Sequence, residues 1–324
     1  RGEPVSSDLT TALIAGELED LESDLDLLFQ TLLAQGDEDL FDDLVDTIFD
    51  DFYGGNVEVS FRPVTAQGKR YLFGRALIGS TLQAEVRQFL VDQEVQTPAV
   101  ELDVNWLKVG HVDEVVTVVP GRSVMVPDTD LAWTALVVAV LNGQGGRVVF
   151  ENLVGKRGNR LDTRIIDLVS NDPAVRLRMP DGSRRTAREF AAAQRVVQTR
   201  LDRNRATLAA GLSLAPQNII RLPALYTDWS RAAAYLPAAV NGLVIDGKYG
   251  CPEQHGPTIV PADGDFLEMV IGDAAAASFG GAGNVSFIDD FSYYHVYLGN
   301  VHCGTNVKRM LVAPPPAWWD QVEP

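Results

Sequence analysis

The chain has 324 residues, of which 46% are hydrophobic, and a formal net charge of −17 at pH 7. This length allows one large domain or two medium ones with a sizeable core. The negative charge argues against a nucleic-acid partner and favours cationic substrates, no apolar run reaches the roughly 20 residues of a membrane span, and two cysteines provide no disulfide framework.

The first 53 residues differ from the rest of the chain. Residues 8–52 contain fifteen Asp and Glu and neither Lys nor Arg. Apolar residues recur there at steps of three and four in two stripes, one beginning at Ile14 and one at Leu40, as on amphipathic helices. We predict an acidic helical hairpin over residues 1–53 and a second domain over residues 54–324. A packed helix pair with a solvated face is the simple interpretation; a cover near a functional site and an oligomerisation surface are the alternatives.

From Gly54 onwards strands alternate with helices, which predicts an α/β fold. The helices are expected at Leu82–Gln93, with Leu82, Val86, Phe89 and Leu90 on one side, and over the long stretch 187–212. The strands are predicted at residues 57–59, 71–73, 115–119, 131–141, 148–150, 240–245, 269–271, 285–288 and 293–298.

Cys303 is the first candidate for chemistry. The aromatic and β-branched run 293–298 predicts a strand, and Gly299-Asn300 predicts a hairpin turn just before Cys303. Gly304 leaves space beside the sulfur for a ligand. By strand alternation the neighbouring His302 faces away and is structural. Cys251, in Gly250-Cys251-Pro252, is expected in a turn as a non-catalytic thiol.

An imidazole and a carboxylate lie far from Cys303 in the sequence, within Gly110-His111-Val112-Asp113-Glu114. On an extended chain His111 and Asp113 point to the same side. A thiol, an imidazole and a carboxylate contributed by distant segments are what nucleophilic catalysis with a general base requires.

These two segments closely resemble the catalytic domain of the protein-arginine deiminases. The first is 110–114 and the second is Val301-His302-Cys303-Gly304-Thr305-Asn306-Val307. Four further stretches look like that family in the same order, namely 55–60, 89–120, 287–291 and Trp318-Trp319. The resemblance covers roughly Gly54 to the C-terminus, and it implies the five-bladed α/β propeller of the guanidine-modifying (pentein) superfamily.

The resemblance also implies roles for particular residues. Cys303 attacks the guanidinium carbon, His111 exchanges protons, and Asp113 binds the guanidinium nitrogens, while Val109 lines the same pocket. A second catalytic aspartate of the family lies in a Trp-rich motif that is not found here. We therefore expect that a precursor is cut near Arg1 and that an upstream fragment, carrying the first part of the propeller, stays bound. Arg1 would then match an arginine that holds the substrate backbone.

Calcium is the one cofactor that the resemblance suggests. Glu58 matches a calcium-binding glutamate of the animal enzymes, whose other side-chain ligands lie upstream of the segment seen here. A chain that starts without Met is compatible with secretion and favours an extracellular over a cytoplasmic location.

The expected activity is hydrolysis of arginine in peptides or proteins to citrulline and ammonia, through a covalent thiouronium on Cys303. One alternative is a deiminase of a small guanidine, such as agmatine or free arginine. Another is a piece that is inactive without an upstream chain supplying the second carboxylate. Neither a nucleic-acid nor a membrane partner is expected.

Overall fold

Three small sheets of the same design organise the computed structural model, which describes residues 54–259 and 264–305. The predicted acidic hairpin, Arg1 and Trp318-Trp319 lie outside the described residues. The boundary between Tyr53 and Gly54 therefore stays a prediction. No helix in the described part is long and apolar enough to cross a membrane.

Most strands are short, and the helices lie between them in the sequence. The strands are β1 (Val57–Val59), β2 (Val64–Ala66), β3 (Lys69–Tyr71), β4 (Ala76–Gly79), β5 (Val100–Leu102), β6 (Thr117–Val119), β7 (Ser123–Asp128), β8 (Val148–Val149), β9 (Thr163–Arg164), β10 (Arg176–Arg178), β11 (Arg184–Thr186), β12 (Ile219–Pro223), β13 (Leu243–Ile245), β14 (Lys248–Pro252) and β15 (Val285–Ile288). The helices are α1 (Ala84–Asp92), α2 (Thr129–Ala139), α3 (Ile165–Leu168), α4 (Ala187–Leu212) and α5 (Phe266–Ala276).

Each three-stranded sheet has one antiparallel and one parallel pair around a central strand. The orders are β1-β4-β5, β6-β7-β12 and β13-β14-β15, with the first pair antiparallel and the second parallel in every case. A parallel pair needs a crossover connection, and α1, the α2–α4 region and α5 lie in these crossovers. The described chain thus contains a ββαβ unit three times, although its sequence shows no repeat.

Helix α4 lies in the crossover of the second unit and also packs against the first unit. Its N-terminus has a capping box, in which Glu189 N donates to Thr186 Oγ1 at 3.1 Å and Thr186 N donates to Glu189 Oε2 at 2.7 Å. At its other end the buried Arg75 donates to the Gly211 carbonyl at 2.6 Å. The helix packs into a hydrophobic cluster with β4, β5 and β7, where Leu77, Leu102 and Val124 are fully buried.

Several predicted elements are confirmed. Strands β1 and β15 and helix α4 have the expected bounds, and α1 and β6 fall within the expected stretches. The mixed α/β class is also confirmed. Helix α1 differs in its environment, however, since no residue on it is buried and Phe89 is 61% exposed.

Three predicted strands are wrong, and the strand predicted at 71–73 is misplaced, because β3 ends at Tyr71 and residues 72 and 73 form a turn. Residues 131–141 belong mainly to helix α2 and residues 269–271 to α5, because Asp128 and Asp265 cap helices that begin just before these apolar runs. Residues 293–298 form turns and the 3₁₀ helix His295–Tyr297 instead of a hairpin strand. Conversely, Cys251 lies in β14 and not in a turn, and it is fully buried.

Candidate active site

The chain just before β1 packs directly on the segment that carries His111 and Asp113. A Cβ atom added to Gly55 would lie 2.8 Å from Asp113 Oδ2 and 2.9 Å from His111 Nδ1. Only a glycine permits so close an approach of backbone to both side chains. His111 and Asp113 therefore meet at Gly55, as two parts of one site.

His111 and Asp113 come together through a helical turn, not through the extended chain expected from the sequence. Gly110 has a φ of +83°, and residues Val112–Glu114 form a 3₁₀ helix. Glu114 fixes this turn, because its Oε1 accepts hydrogen bonds from Gly110 N and His111 N, both at 2.9 Å. His111 is 8% exposed and Asp113 is 3% exposed.

The two oxygens of the Asp113 carboxylate differ, because Oδ2 has a hydrogen-bond partner and Oδ1 has none. Its Oδ2 lies 2.8 Å from His302 Nδ1 and 4.0 Å from Cys303 Sγ. Its Oδ1 is buried and has no hydrogen-bond partner. A buried carboxylate oxygen without a donor is costly, so Oδ1 is suited to receive an N–H donor from a ligand.

Cys303 lies in a turn that is held by Asn241, at the start of the third ββαβ unit. The Asn241 carbonyl accepts from His302 N at 3.0 Å, and its side-chain Oδ1 lies 3.4 Å from Cys303 N and 3.3 Å from Cys303 Sγ. Asn241 is 1% exposed, and its Nδ2 has no hydrogen-bond partner. Sequence reasoning did not identify this residue, because an Asn-Gly pair before a strand resembles any loop.

Gly304 makes room for an aromatic ring rather than for a ligand. A Cβ at this position would lie 2.5 Å from the ring of Tyr294. The glycine therefore lets the turn that carries Cys303 pack on Tyr294.

Burial is the main reason why the Cys303 pKa is raised to about 12, and the negative charge of Asp113 adds to it. The group is therefore a thiol in this structure. Its S–H donates to Asn241 Oδ1, and a cation placed at Asp113 would oppose the charge that disfavours the thiolate.

His302 points into the site, so the prediction that it faces away is wrong. Strand alternation does not apply, because residues 301–304 form turns. Its Nδ1 contacts Asp113 Oδ2, and its Nε2 lies 3.3 Å from Glu58 Oε1. The hydrogen bond to Asp113 raises the pKa of His302 above its usual value, against the opposing effect of burial.

Several of these residues line one small pocket. Its wall includes Val109, Asp113, Asn241, Asn300 and Cys303. His111 is not part of this wall, but its Nδ1 and Asp113 Oδ2 both lie within 3 Å of where a Gly55 Cβ would be. The remaining predicted site residue, Arg1, lies outside the described residues.

Two places offer ligands for a cation. Glu58 contributes a single carboxylate that faces the His302 ring, whereas calcium requires six to eight oxygen ligands. The Glu58 carboxylate alone supplies too few ligands for a calcium ion. Elsewhere in the described chain, ligand atoms of Glu253, His255 and Asp289 lie within 4.8 Å of one another.

A family model described as protein-arginine deiminase matches residues 47–320. The chain belongs to the protein-arginine deiminase family. It is 35% identical over 282 residues to protein-arginine deiminase type-3 of Mus musculus, covering 83% of this chain and 39% of that protein. It is 32% identical over 283 residues to the type-1 enzyme of Homo sapiens, covering 83% and 38%. The chain thus spans about two fifths of the length of these protein-arginine deiminases.

Solved structures that are similar to this family member include a C. jejuni agmatine deiminase. The match has a TM-score of 0.38 and 12% identity, and it covers 78% of this chain and 54% of that one.

Proposed function

We propose that this chain carries the catalytic centre of an enzyme that hydrolyses the guanidinium group of peptide or protein arginine to citrulline and ammonia. The observation that carries the proposal is the meeting of Cys303 and Asp113 in one pocket, with Sγ and Oδ2 4.0 Å apart. Family membership and the names of the relatives support the substrate class.

Binding begins at Asp113. A guanidinium offers N–H donors in a plane and no acceptor, which suits the buried and unpartnered Asp113 Oδ1. The substrate cation also opposes the negative field that raises the Cys303 pKa. Substrate binding therefore favours loss of the thiol proton at the place where it is needed.

The chemistry proceeds in two balanced halves. Cys303 Sγ forms a bond to the guanidinium carbon, the C–N bond breaks, and His111 delivers the thiol proton to the departing ammonia. A cationic thiouronium remains on the sulfur. Water, losing a proton to His111, then forms the C–O bond; the C–S bond breaks, and citrulline and the thiol are released with one proton.

The five-bladed propeller belongs to the same proposal. Three ββαβ units with identical strand pairing support it, and a complete propeller requires two more units. In the same proposal, an upstream fragment of the precursor contributes units that the described residues do not contain. Calcium is a further expectation from the family, and no step above passes through it.

The test is turnover of an N-blocked arginine ester by the full chain, measured as citrulline and ammonia together. Cys303→Ala should abolish both products, whereas Cys251→Ala should retain them, because Cys251 is buried outside the pocket. Turnover by Cys303→Ala would contradict the proposal.

Two further arms of this assay define substrate and cofactor. Free arginine and agmatine should be poorer substrates than the blocked ester, and faster turnover of either would replace the peptide substrate by a small guanidine. The assay is repeated with calcium and with a chelator; equal rates would remove calcium from the proposal.

A further inference from the structure

The hairpin formed by β10 and β11 is strongly basic, although the chain as a whole has a net charge of −17. Its arginines are Arg176, Arg178, Arg184 and Arg185. Its one acidic residue, Asp181, lies in the turn, where its Oδ1 accepts from Ser183 N at 2.9 Å. The hairpin is therefore a local positive patch on an acidic protein.

The two faces of the hairpin differ in how their arginines are neutralised. On the inner face, Leu177 is buried in a hydrophobic cluster, and its cross-strand partner Arg185 donates to Asp228 Oδ2 at 2.6 Å. On the outer face, Arg178 pairs directly with Arg184, and both are exposed. Neither of these two forms an ion pair within the described part of the chain. Like charges directly opposite each other destabilise a strand pair, so an anion bound at this face would stabilise the hairpin.

The spacing on the outer face matches an extended acidic peptide. Arg176 and Arg178 lie two residues apart on β10, hence on one face at an interval of about 6.6 Å. Acidic residues two apart in an extended peptide present carboxylates at the same interval. Each of these arginines donates one N–H to a carbonyl, that of Pro173 or of Arg160. A guanidinium has five N–H donors, so both can also bind a carboxylate.

The loop 155–158 extends the positive patch beyond the hairpin. Lys156 N donates to the Pro180 carbonyl at 3.0 Å. A Cβ added to Gly182 in the hairpin turn would lie 2.7 Å from Arg157 Cδ. The loop therefore packs on the turn and adds two cationic side chains beside the outer face.

The same loop reaches the rim of the active-site pocket. Lys156 Nζ lies 5.4 Å from the centre of the Tyr297 ring. Tyr297 is 59% exposed, and it directly precedes Leu298, which lines the pocket together with Cys303. A continuous surface thus runs from the basic hairpin, over Lys156 and Tyr297, to the candidate active site.

We propose that the outer face of the β10–β11 hairpin, together with Lys156 and Arg157, is a docking surface for an acidic segment of the protein substrate. An arginine of the same polypeptide enters the pocket. The inference rests on the proposed function for that arginine, and it narrows the substrate class to proteins with a carboxylate-rich segment near the target residue. A short acidic peptide fits better than a nucleic acid, because the net charge of −17 repels a long polyanion.

The first test measures binding without turnover. A fluorescent peptide of alternating Glu and Ser, which contains no arginine, is titrated with the full chain at low salt and followed by anisotropy. It should bind more tightly than the same peptide with Gln for Glu. The double variant Arg178→Gln, Arg184→Gln should raise the Kd about fivefold, because exposed ion pairs are individually weak.

The double variant Arg195→Gln, Arg203→Gln is the matched control. It removes the same charge from the exposed side of α4, about 12 and 24 Å along the helix from its first residue, and it should leave the Kd unchanged. The double variant Arg178→Glu, Arg184→Glu should prefer a Lys-Ser peptide to the Glu-Ser peptide, an inversion that misfolding does not produce. An equal rise of Kd in the variant and the control, or no inversion, overturns the docking surface.

The second test asks whether docking serves the pocket. Arginine peptides carry a Glu-Ser or a Gln-Ser segment on either side of the arginine, joined through a Gly-Ser spacer. On at least one side the Glu segment should lower the KM for citrulline formation, and Arg178→Gln, Arg184→Gln should remove this advantage while the blocked arginine ester reacts as before. Equal KM values for the Glu and Gln peptides on both sides overturn the role in substrate binding.

The partner class and the proposed function are tested separately. An oligothymidylate that binds more tightly than the Glu-Ser peptide through the same arginines would make the partner a nucleic acid and overturn the proposal. If citrulline forms but the Kd does not depend on Arg178 and Arg184, the proposed function stands and this inference is wrong. If the Kd depends on them but no arginine compound is hydrolysed, the acidic-peptide site stands and the proposed function is wrong.

Discussion

Gly55 controls the site without contributing a side chain to it. The residue has no positive φ that would demand glycine, but a Cβ would lie within 3 Å of both Asp113 and His111. Any side chain there must displace the carboxylate, the imidazole or the strand that follows.

We therefore expect Gly55→Ala to lower citrulline formation by about a hundredfold, because displacements of about an ångström have such effects on catalysis. Steady-state kinetics would measure the loss. Gly272→Ala is the control, since an added Cβ meets no atom within 4 Å there; it should keep full activity and slightly stabilise helix α5. Equal activity in both variants would show that the site tolerates the displacement.

At the residue scale the sequence predicts Cys303, His111 and Asp113 as site residues through their motifs, and the structure brings Asp113 next to Cys303. The direction of His302 was wrong, because alternation applies only within a strand. Two features could not be predicted, namely the role of Asn241 and the orientation of Glu58 towards His302. They depend on contacts between residues that are 62 and 244 positions apart in the sequence, and no local pattern reports such contacts.

Two asparagines connect the turn that carries Cys303 to the loop before β13. Asn241 Oδ1 reaches Cys303 N, and Asn300 Oδ1 accepts from Ala238 N at 2.9 Å. The side chains cross the same gap in opposite directions, so each segment fixes the other.

Asn241→Ala should therefore slow citrulline formation about tenfold or more, since Cys303 N loses its acceptor and the sulfur loses its position. Alkylation of Cys303 by a neutral haloacetamide would show whether the thiol itself is misplaced. Asn218→Ala removes a comparable bond, to Ser123 Oγ at 3.1 Å, outside the pocket and should not affect either rate. Turnover within twofold of the unmodified chain would mean that the turn holds its shape without Asn241.

The prediction succeeded for the long amphipathic pattern of helix α4. It failed in continuous apolar runs such as 131–141 and 269–271, because a run without alternation fits a buried strand or a helix equally well. The Asp265 cap decides the second case, since its Oδ1 accepts from Leu267 N and Glu268 N.

At the scale of the whole molecule, the site draws on the same place in each ββαβ unit. Glu58 lies in the first strand of the first unit, while Asp113 and Asn241 lie just before the first strands of the second and third units. A repeated architecture can thus supply different side chains to one centre, and the absence of a sequence repeat hides this from sequence analysis.

One buried and one half-buried carboxyl, Asp290 and Glu268, make the stability of the molecule depend on pH. Burial is the main reason why the pKa of Asp290 is raised to about 6 and that of Glu268 to about 7. In the unfolded chain both ionise near pH 4. The stability they allow is complete below about pH 4 and is lost as the pH rises through 6 and 7.

We expect the unfolding temperature to fall between about pH 4 and about pH 7, with a shift of roughly 2–4 °C for each kcal/mol lost. The double variant Asp290→Asn, Glu268→Gln should flatten this dependence, which calorimetry over the pH range would show. His302 acts in the same direction, since its pKa is raised by Asp113. An unchanged slope in the double variant would assign the pH dependence to other groups.

The complete burial of Cys251 separates the two thiols of this chain by accessibility. Cys251 is 0% exposed, and burial is the main reason why its pKa is raised well above the usual value. A small electrophile therefore reaches one thiol, that of Cys303, in the native protein. It reaches Cys251 only when the sheet β13-β14-β15 opens. The delay between the first and the second modification therefore reports the rate of that opening, and no label has to be attached to the protein.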